Sequence, residues 1–283
     1  MNAPKGYDAL VFSSGGMRGI AQLGALECLR RRSPEKIQNT RYYIGTSAGA
    51  VVATIAATNM SPRTAMDTCI VPFKYKRDLR LHLLGNMFGI EASKSLETFI
   101  ESVVPKRLTF RQVLNSHGNV LSIIGTDVTA RRAVIYDPIR SPDMLIRDAL
   151  RISCGIPLIF PAVEDPESGH LLVDGALTNA FPVDIARDVY GCDHILGMDF
   201  DMDRTNEKDE KVRIYAFIGS LIDTMVASNT YVHKKGIDIC TLSTPPKISG
   251  FSFDLGPEDK FKIYDSGVEG MTAFLDENAA LNP

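Results

Sequence analysis

The sequence predicts an α/β fold, a three-layer sandwich in which a mostly parallel central sheet is flanked by helices on both faces. Short apolar segments with strand composition alternate with helical segments along the chain, and this alternation is typical of parallel sheets. Two glycine-rich loops each follow a predicted strand and precede a predicted helix. The chain has 283 residues, 45% of them hydrophobic, which is enough for a substantial core. We therefore expect a single globular domain over residues 1–283.

The first predicted strand, Asp8–Ser13, leads directly into a glycine-rich loop and then a helix over Ile20–Arg32. At the amino end of a helix, backbone N–H groups can bind a phosphate or a transition-state oxyanion. A dinucleotide site is disfavoured, because Ser14 replaces the first glycine of that fingerprint and Glu35 lies in a polar, non-strand setting. Arg18 is a basic residue in the first turn and opposes the helix dipole. This indicates that it braces the loop or meets a phosphate; the alternative is a side chain in solvent.

The second predicted strand ends in a G-x-S-x-G turn. The strand is Tyr42–Ile44, the turn places Ser47 between Gly45 and Gly49, and a helix of small apolar residues follows over Ala48–Thr58. In such a turn the glycines allow a sharp bend, so the serine hydroxyl projects at the carboxyl edge of the sheet. The positive end of the following helix favours an oxyanion beside that hydroxyl. The flanking strand and helix favour a nucleophile elbow over an ordinary glycine- and serine-rich loop.

A basic block runs into an apolar block in the segment Phe73–Ile90. In one interpretation the cations lie near anionic lipid headgroups, with the aliphatic side chains below them. In the other, the segment is an ordinary amphipathic stretch packed on the core. We expect the region around residues 60–117 to form a cap, a lid or a membrane-facing segment.

The second half of the chain returns to alternating strands and helices. Strands are predicted over Asn119–Gly125 and Arg132–Tyr136, and a helix capped by Ser141 is predicted to run to about Ile152. A proline-containing loop, Ser153–Pro161, follows it. The remaining predicted elements are the strand Leu171–Val173, the helix Val183–Tyr190, the strand His194–Asp199, the helix Val212–Lys235, the strand Asp238–Leu242 and the helix Pro257–Asn278.

Asp174 follows a predicted strand and opens an Asp-Gly-Ala turn with Gly175. Most Asp-Gly pairs are simply turns. This one is predicted at the carboxyl end of a strand, as are the glycine-rich loop and Ser47, and active sites of α/β folds lie there. A nucleophilic serine needs a base, and a carboxylate can serve when its pKa is raised toward the working pH. A Ser-Asp-His triad competes with this arrangement, because His194 and His233 both follow Asp174 in chain order.

Four sequence blocks occur along the chain in the following order: Gly15-Gly16-Met17-Arg18-Gly19, Gly45-Thr46-Ser47-Ala48-Gly49, Ser153–Pro161, and Asp174-Gly175-Ala176 with Asn179 and Pro182. Together they resemble the patatin-like phospholipases, serine lipid acyl hydrolases with a Ser-Asp dyad on an α/β fold related to cytosolic phospholipase A2. The resemblance implies hydrolysis of a phospholipid or another acyl-lipid ester without a metal or cofactor. It also implies three roles: nucleophile for Ser47, general base for Asp174, and oxyanion hole for the backbone of Gly15, Gly16, Met17 and Arg18.

Composition and charge argue against several classes of protein. The formal net charge of −3 and the sequence pI of about 6.0 give no support to a nucleic-acid partner. The five cysteines include no C-x-x-C pair, which argues against a disulfide framework or zinc site and for a cytoplasmic protein. No segment reaches the ~18 apolar residues of a membrane span, so any membrane contact is expected to be peripheral. Acyl transfer to another lipid and a non-catalytic lipid-binding module are the alternative functions, and the oligomeric state is left open.

Overall fold

A computed structural model of the protein contains an eight-stranded sheet that takes strands from both halves of the chain. The structure describes residues 6–70, 89, 94–201, 220–221, 224–225, 237–246 and 248–281. The strands are β1 (Ala9–Phe12), β2 (Tyr42–Thr46), β3 (Val120–Asp127), β4 (Arg132–Tyr136), β5 (Val163–Glu164), β6 (Leu171–Asp174), β7 (Ile195–Phe200) and β8 (Ile237–Leu242). The α-helices with defined bounds are α1 (Gly19–Arg32), α2 (Ala48–Ala57), α3 (Pro62–Ile70), α4 (Lys94–Val103), α5 (Phe110–His117), α6 (Ile146–Ser153), α7 (Ala176–Asn179) and α8 (Pro257–Leu281).

The strand order is β5-β6-β3-β2-β1-β7-β8, and β4 pairs with β3 outside this path. The five strands from β3 to β8 in this order are parallel. Three pairings are antiparallel, namely β3 with β4, β3 with β6, and β5 with β6. The predicted mostly parallel sheet is therefore confirmed, with an antiparallel group of strands at one side.

Strand β1 shows why the sheet needs a layer of helices on each face. Successive side chains of a strand point to opposite faces. Leu10 and Phe12 belong to the larger hydrophobic core, beneath α1 and α2, whereas Ala9 and Val11 belong to a second core. The second core is closed by the chain around Phe181 and by a short π-helix at Ile185–Val189. Both faces are thus covered, and the three-layer prediction is confirmed.

The helix that follows Ser47 is buried, as its composition predicts. All but the first of the ten residues in α2 are buried. Arg30, near the carboxyl end of α1, donates hydrogen bonds to the carbonyl oxygens of Met60 (2.6 Å) and Ala56 (3.1 Å). These bonds tie α1 to the last turn of α2 and to the loop that follows it. Two of the helices around the site are therefore fixed to each other.

The predicted start of the helix at Ser141 is wrong, because α6 begins at Ile146. The buried carboxylate of Asp137 accepts hydrogen bonds from the N–H groups of Ile139 (2.9 Å) and Arg140 (2.7 Å). The N–H of Ser141 donates to the Asp137 carbonyl oxygen at 2.9 Å. This side chain holds the chain in a turn and delays the helix.

Several other predictions have mixed outcomes. The helix predicted over Val183–Tyr190 is the short π-helix, whereas the last predicted helix is present as α8. The segment Phe73–Ile90, apart from Gly89, lies outside the described residues, as does most of the helix predicted over Val212–Lys235. Within the described ranges, no helix has the length and apolar character needed to cross a membrane.

Candidate active site

Ser47 lies between the end of β2 and the start of α2, in an unusual backbone conformation. Its φ is 55° and its ψ is −126°, and a positive φ is uncommon for a residue with a side chain. The turn also brings backbone segments very close together. A Cβ atom at Gly45 would lie 2.3 Å from the carbonyl oxygen of Gly49, and one at Gly49 would lie 2.4 Å from that of Phe12. Both glycines of the turn are therefore required by close backbone approach.

The hydroxyl of Ser47 contacts a single carboxylate oxygen. Ser47 Oγ donates a 2.8 Å hydrogen bond to Asp174 Oδ2. The other oxygen, Oδ1, accepts a 2.8 Å hydrogen bond from the N–H of Ala176. Ser47 is 6% exposed and Asp174 is 4% exposed. The two side chains that the sequence separates by more than a hundred residues thus form a buried, directed pair.

Asp174 reaches Ser47 by a route that differs from the expected one. Strand β3 continues past its last pairing with β2, where Ile124 lies beside Thr46. Strand β6 runs back along this extension in antiparallel register, and its last residue, Asp174, pairs with Gly125. The carboxyl ends of β2 and β6 therefore meet although the two strands are not parallel. The sequence predicted that Asp174 follows a strand parallel to β1 and β2. This is wrong, because β6 is antiparallel to its neighbour β3.

Burial sets the acidity of the Asp174 carboxyl group. Removal from water disfavours the charged form and raises the pKa of Asp174 to about 7, while hydrogen bonds from the Ala176 N–H and the Ser47 hydroxyl oppose this shift. A carboxyl with this pKa is partly ionised at neutral pH and can accept a proton efficiently. Burial also raises the pKa of the neighbouring Cys154 thiol, which keeps that sulfur protonated and a poor nucleophile.

The end of α6 supports the backbone around both side chains. The N–H of Ser47 donates to Ser153 Oγ at 2.9 Å, and Ser153 Oγ donates to the Ile124 carbonyl oxygen at 2.6 Å. The N–H of Asp174 donates to the carbonyl oxygen of Gly155 at 3.0 Å. Sequence reasoning placed Ser153 in the proline-containing block but assigned it no role. No local pattern in the sequence marks it, because its partners, the N–H of Ser47 and the carbonyl oxygen of Ile124, lie far from it in the sequence.

The glycine-rich loop after β1 lies beside the same site. The N–H of Met17 donates to the Gly250 carbonyl oxygen at 3.0 Å, and that of Arg18 donates to the Gly15 carbonyl oxygen at 3.1 Å. The N–H groups of Gly15 and Gly16 donate to no other residue that the structure describes. Of the four predicted oxyanion donors, these two are the ones left available for a ligand.

Arg18 braces this loop. The carbon at the centre of its guanidinium lies 5.1 Å from the centroid of the Phe200 ring, a distance suited to a cation–π interaction. The half-buried Asp199 beside Phe200 also experiences the charge of Arg18. For Arg18, the structure favours a loop-bracing role over a side chain in solvent.

An apolar cavity of about 310 Å³ opens next to Ser47. One of its walls is a face of α2 with residues at helical spacing, Ala48, Val51, Val52 and Ile55. The other described lining residues are Gly16, Met17, Gly19, Ile20, Leu23, Thr68, Leu96, Thr98, Phe99, Ser102, Cys154, Ile156, Phe160, Phe253 and Lys260. A cavity of this kind suits a hydrocarbon chain.

The described histidines lie away from the Ser47–Asp174 pair. His194 precedes β7, and its N–H donates to Asp8 Oδ2 at 2.9 Å, at the amino ends of β1 and β7. Ser47 follows the opposite, carboxyl end of β2. His170 Nδ1 lies 2.8 Å from Asp127 Oδ2, and His233 lies outside the described residues. In the part of the chain that the structure describes, no group of three His, Cys, Asp or Glu side chains is arranged to hold a metal ion.

A family model described as patatin-like phospholipase matches residues 10–187. The chain belongs to the patatin-like phospholipase family. It is 30% identical over 195 residues to a protein of Invertebrate iridescent virus 6 named probable lipid hydrolase 463L, an alignment that covers 65% of this chain and 64% of that relative. The chain thus spans slightly less than two thirds of the length of this family member.

Two solved structures share the patatin-like fold of this chain. VipD from Legionella pneumophila superposes with a TM-score of 0.59 at 18% identity, covering 97% of this chain and 67% of VipD. Human GIVD cytosolic phospholipase A2 superposes with a TM-score of 0.56 at 10% identity, covering 95% of this chain and 59% of the human protein. At these identities the likeness concerns the fold alone, and it agrees with the three-layer α/β architecture.

Proposed function

We propose that this protein is a lipid acyl hydrolase of the phospholipase A type, which cleaves carboxylic esters through an acyl-Ser47 intermediate. The observation that carries the proposal is the buried 2.8 Å hydrogen bond from Ser47 Oγ to Asp174 Oδ2. Membership of the patatin-like phospholipase family supports a lipid ester as the substrate. The apolar cavity beside Ser47 supports an acyl chain as the part of the substrate that is bound.

In the first step, Ser47 Oγ attacks the carbonyl carbon of the ester while Asp174 takes the hydroxyl proton. The carbonyl oxygen becomes an oxyanion, and the N–H groups of Gly15 and Gly16 are the donors proposed to stabilise it. The tetrahedral intermediate then collapses. The bond to the alcohol oxygen breaks, Asp174 returns its proton to that oxygen, and the acyl group stays on Ser47.

In the second step, water replaces the alcohol. Asp174 takes a proton from the water as its oxygen attacks the acyl carbon, and a second oxyanion forms at the same donors. Collapse breaks the bond to Ser47 Oγ, which regains its proton from Asp174, and the fatty acid leaves. One residue with a pKa of about 7 can therefore act as base and acid in turn.

Acyl transfer to a second lipid uses the same residues but is not favoured by the family comparison. A non-catalytic lipid-binding module is also disfavoured, because the hydroxyl, the carboxylate and two available N–H groups are all in place. Cytoplasmic location, peripheral membrane contact through Phe73–Ile90 and a single-domain organisation remain proposals based on the sequence.

The proposal is tested by hydrolysis of a short-chain nitrophenyl ester and of phospholipids in mixed micelles. The proteins compared are wild type, Ser47→Ala and Asp174→Asn, with folding of each checked by circular dichroism. We expect activity in the wild type and a loss of at least a thousandfold in each variant, on the order seen when a nucleophile or its base is removed. Folded wild-type protein that hydrolyses neither substrate would contradict the proposal.

A further inference from the structure

Gln22 is a polar side chain on the buried part of α1. It is 0% exposed and lies near the amino end of the helix, where Ala21 and Leu23 on either side of it belong to the larger hydrophobic core. Burying a side-chain amide in an apolar environment is costly unless its polar atoms form hydrogen bonds. The partners of this amide therefore indicate what the residue does.

The amide nitrogen of Gln22 binds the backbone where the chain leaves the sheet for the glycine-rich loop. Gln22 Nε2 donates hydrogen bonds to the carbonyl oxygens of Ser13 at 3.0 Å and Met198 at 3.1 Å, and it lies 3.4 Å from Ser13 Oγ. Ser13 directly follows β1, and Met198 lies in β7 beside Phe12, the last residue of β1. One side chain thus ties the start of the loop to strands β1 and β7.

The amide oxygen of Gln22 is in the opposite situation. Gln22 Oε1 is buried and has no hydrogen-bond partner among the residues that the structure describes. A buried acceptor without a partner costs about 1–3 kcal/mol, whereas a methionine side chain of similar size would carry no such cost. A buried polar atom of this kind calls for an explanation. The explanation offered by the structure is that the backbone carbonyl groups at the start of the loop require the N–H donors of this side chain.

The bond to Ser13 orients the first peptide group of the glycine-rich loop. A trans peptide group carries its C=O and its N–H in opposite directions. In the peptide group between Ser13 and Ser14, Gln22 binds the carbonyl oxygen, and the N–H of Ser14 donates to the carbonyl oxygen of Ala180 at 2.7 Å. The orientation of this peptide group is therefore set from two sides, by α1 and by the chain that follows α7.

The next two peptide groups carry the N–H groups of Gly15 and Gly16, which donate to no other residue that the structure describes. The second of these peptide groups is held at its carbonyl end, since the Gly15 carbonyl oxygen accepts the N–H of Arg18 at 3.1 Å. The first lies between two fixed peptide groups, so the direction of the Gly15 N–H depends on both of them. Gln22 is not one of the residues that line the cavity beside Ser47, so it can act on a ligand there only through the loop.

We propose that Gln22 is a positioning residue for the oxyanion hole, which holds the Ser13–Ser14 peptide group so that the N–H of Gly15 points at the developing oxyanion. This proposal rests on the proposed function and adds to it a residue outside the four sequence blocks. An oxyanion donor is effective when it is aimed at the position that the oxyanion will occupy. Because the uncharged carbonyl oxygen of the substrate depends less on that donor, Gln22 affects binding of the transition state more than binding of the substrate.

A binding experiment tests the proposal without requiring turnover. An alkylboronic acid forms a reversible bond from a serine oxygen to boron, and the resulting tetrahedral, negatively charged group resembles the intermediate of ester hydrolysis. Octylboronic acid is compared by calorimetry with octan-1-ol, which has the same alkyl chain but cannot form this bond. We expect Gln22→Met to weaken binding of octylboronic acid about tenfold, less than the loss of a whole oxyanion donor. The affinity for octan-1-ol should be unchanged.

Gln38→Met is the matched control, because it makes the same substitution at an exposed site. Gln22→Glu keeps the length of the side chain but lacks the NH₂ group; it replaces Gln22→Met if the latter does not fold, and it should show the same selective loss. Equal weakening of both ligands, no weakening of octylboronic acid in a folded variant, or the same loss in Gln38→Met would overturn the proposal. So would a wild type that binds octylboronic acid no more tightly than octan-1-ol.

A hydrolysis experiment separates this proposal from the proposed function. With a short-chain nitrophenyl ester, at a temperature where circular dichroism shows each protein to be folded, we expect Gln22→Met to lower kcat about tenfold and to leave KM within about twofold. If wild type hydrolyses no ester but Gln22→Met selectively weakens binding of octylboronic acid, the proposed function fails and the positioning role stands. If wild type hydrolyses the ester and folded Gln22→Met keeps its kcat, the positioning role fails and the function stands.

Discussion

The N–H of Ser47 donates a 2.9 Å hydrogen bond to Ser153 Oγ. Ser153 is fully buried, and its hydroxyl donates a hydrogen bond to the carbonyl oxygen of Ile124. This hydroxyl, at the end of α6, thereby connects the turn after β2 to the backbone of β3. The strained backbone of Ser47 is held from a side that the G-x-S-x-G pattern does not reveal.

Ser153→Ala is expected to weaken both the fold and catalysis. It leaves the Ser47 N–H and the Ile124 carbonyl without their partner, and an unsatisfied buried polar group costs about 1–3 kcal/mol. We expect the free energy of unfolding in urea to fall by about 2 kcal/mol and kcat to fall about tenfold with little change in KM. Ser116→Ala, at an exposed site on α5, is the control. Unchanged kcat in folded Ser153→Ala would show that Ser153 does not position Ser47.

The pKa of Asp174 predicts how activity depends on pH. As a general base the residue must be ionised, and burial raises its pKa to about 7. We therefore expect kcat/KM for a neutral ester to rise with pH through about 7 and then to level off. A profile that is already flat at pH 5 would mean that Asp174 ionises at its ordinary pKa or is not the base.

The same raised pKa predicts an opposite trend in stability. An unfolded aspartate has a pKa of ~3.9, so between about pH 4 and pH 7 the folded protein keeps a proton that the unfolded chain has lost. Its contribution to the free energy of unfolding is therefore greatest at low pH and decreases as the pH rises through this window. Urea unfolding of wild type and Asp174→Asn at several pH values isolates the effect. We expect the free energy of unfolding of the wild type to decrease relative to that of Asp174→Asn from about pH 4 to pH 7. A difference between the two proteins that does not change with pH would contradict the raised pKa.

Gly175→Ala is expected to displace Asp174. A Cβ atom at this position would lie 2.2 Å from the Ile124 carbonyl oxygen and 3.0 Å from Thr46 Cγ2. Because the obstruction is partly backbone, we expect a loss of stability of about 1–3 kcal/mol and a loss of activity of about a hundredfold. Gly256→Ala is the matched control, since a Cβ atom there meets nothing within 4 Å. Equal melting temperatures and activities of the two variants would show that the close approach at Gly175 is unimportant.

Histidine substitutions distinguish the dyad from a triad. His194 lies at the amino ends of β1 and β7, away from Ser47. We expect His194→Ala and His233→Ala to retain kcat/KM within about threefold, because neither histidine is needed as a base. A folded variant with a loss of several orders of magnitude, on the order of a missing triad member, would establish a Ser-Asp-His triad instead.

The parts of the site that could be predicted from the sequence are those formed by residues contiguous in the chain. The strand, turn and helix around Ser47 have local signals, namely apolar residues, two glycines and small helix-forming residues. The first strand, its glycine-rich loop and α1 have signals of the same kind. Each was predicted within one or two residues of its bounds, because the backbone conformation there depends mainly on neighbouring residues.

The parts that could not be predicted depend on residues far apart in the chain. The antiparallel course of β6 depends on pairing with three residues of β3, and nothing within Leu171–Asp174 shows its direction. The role of Ser153 depends on two partners far from it in the sequence, the N–H of Ser47 and the carbonyl oxygen of Ile124. The late start of α6 has a local cause, the hydrogen bonds that the Asp137 carboxylate accepts from Ile139 and Arg140. Aspartate often forms such turns, so this departure could have been predicted from the sequence.

Acylation of Ser47 is tested most directly by intact-mass spectrometry of the protein during turnover of a slowly hydrolysed ester. We expect a mass increase equal to one acyl group in the wild type, located on the peptide containing Ser47. We expect no increase in Ser47→Ala and a strongly slowed increase in Asp174→Asn. An acyl group on a different residue, or acylation at the wild-type rate in Asp174→Asn, would contradict the central claim that Ser47 is a nucleophile activated by Asp174.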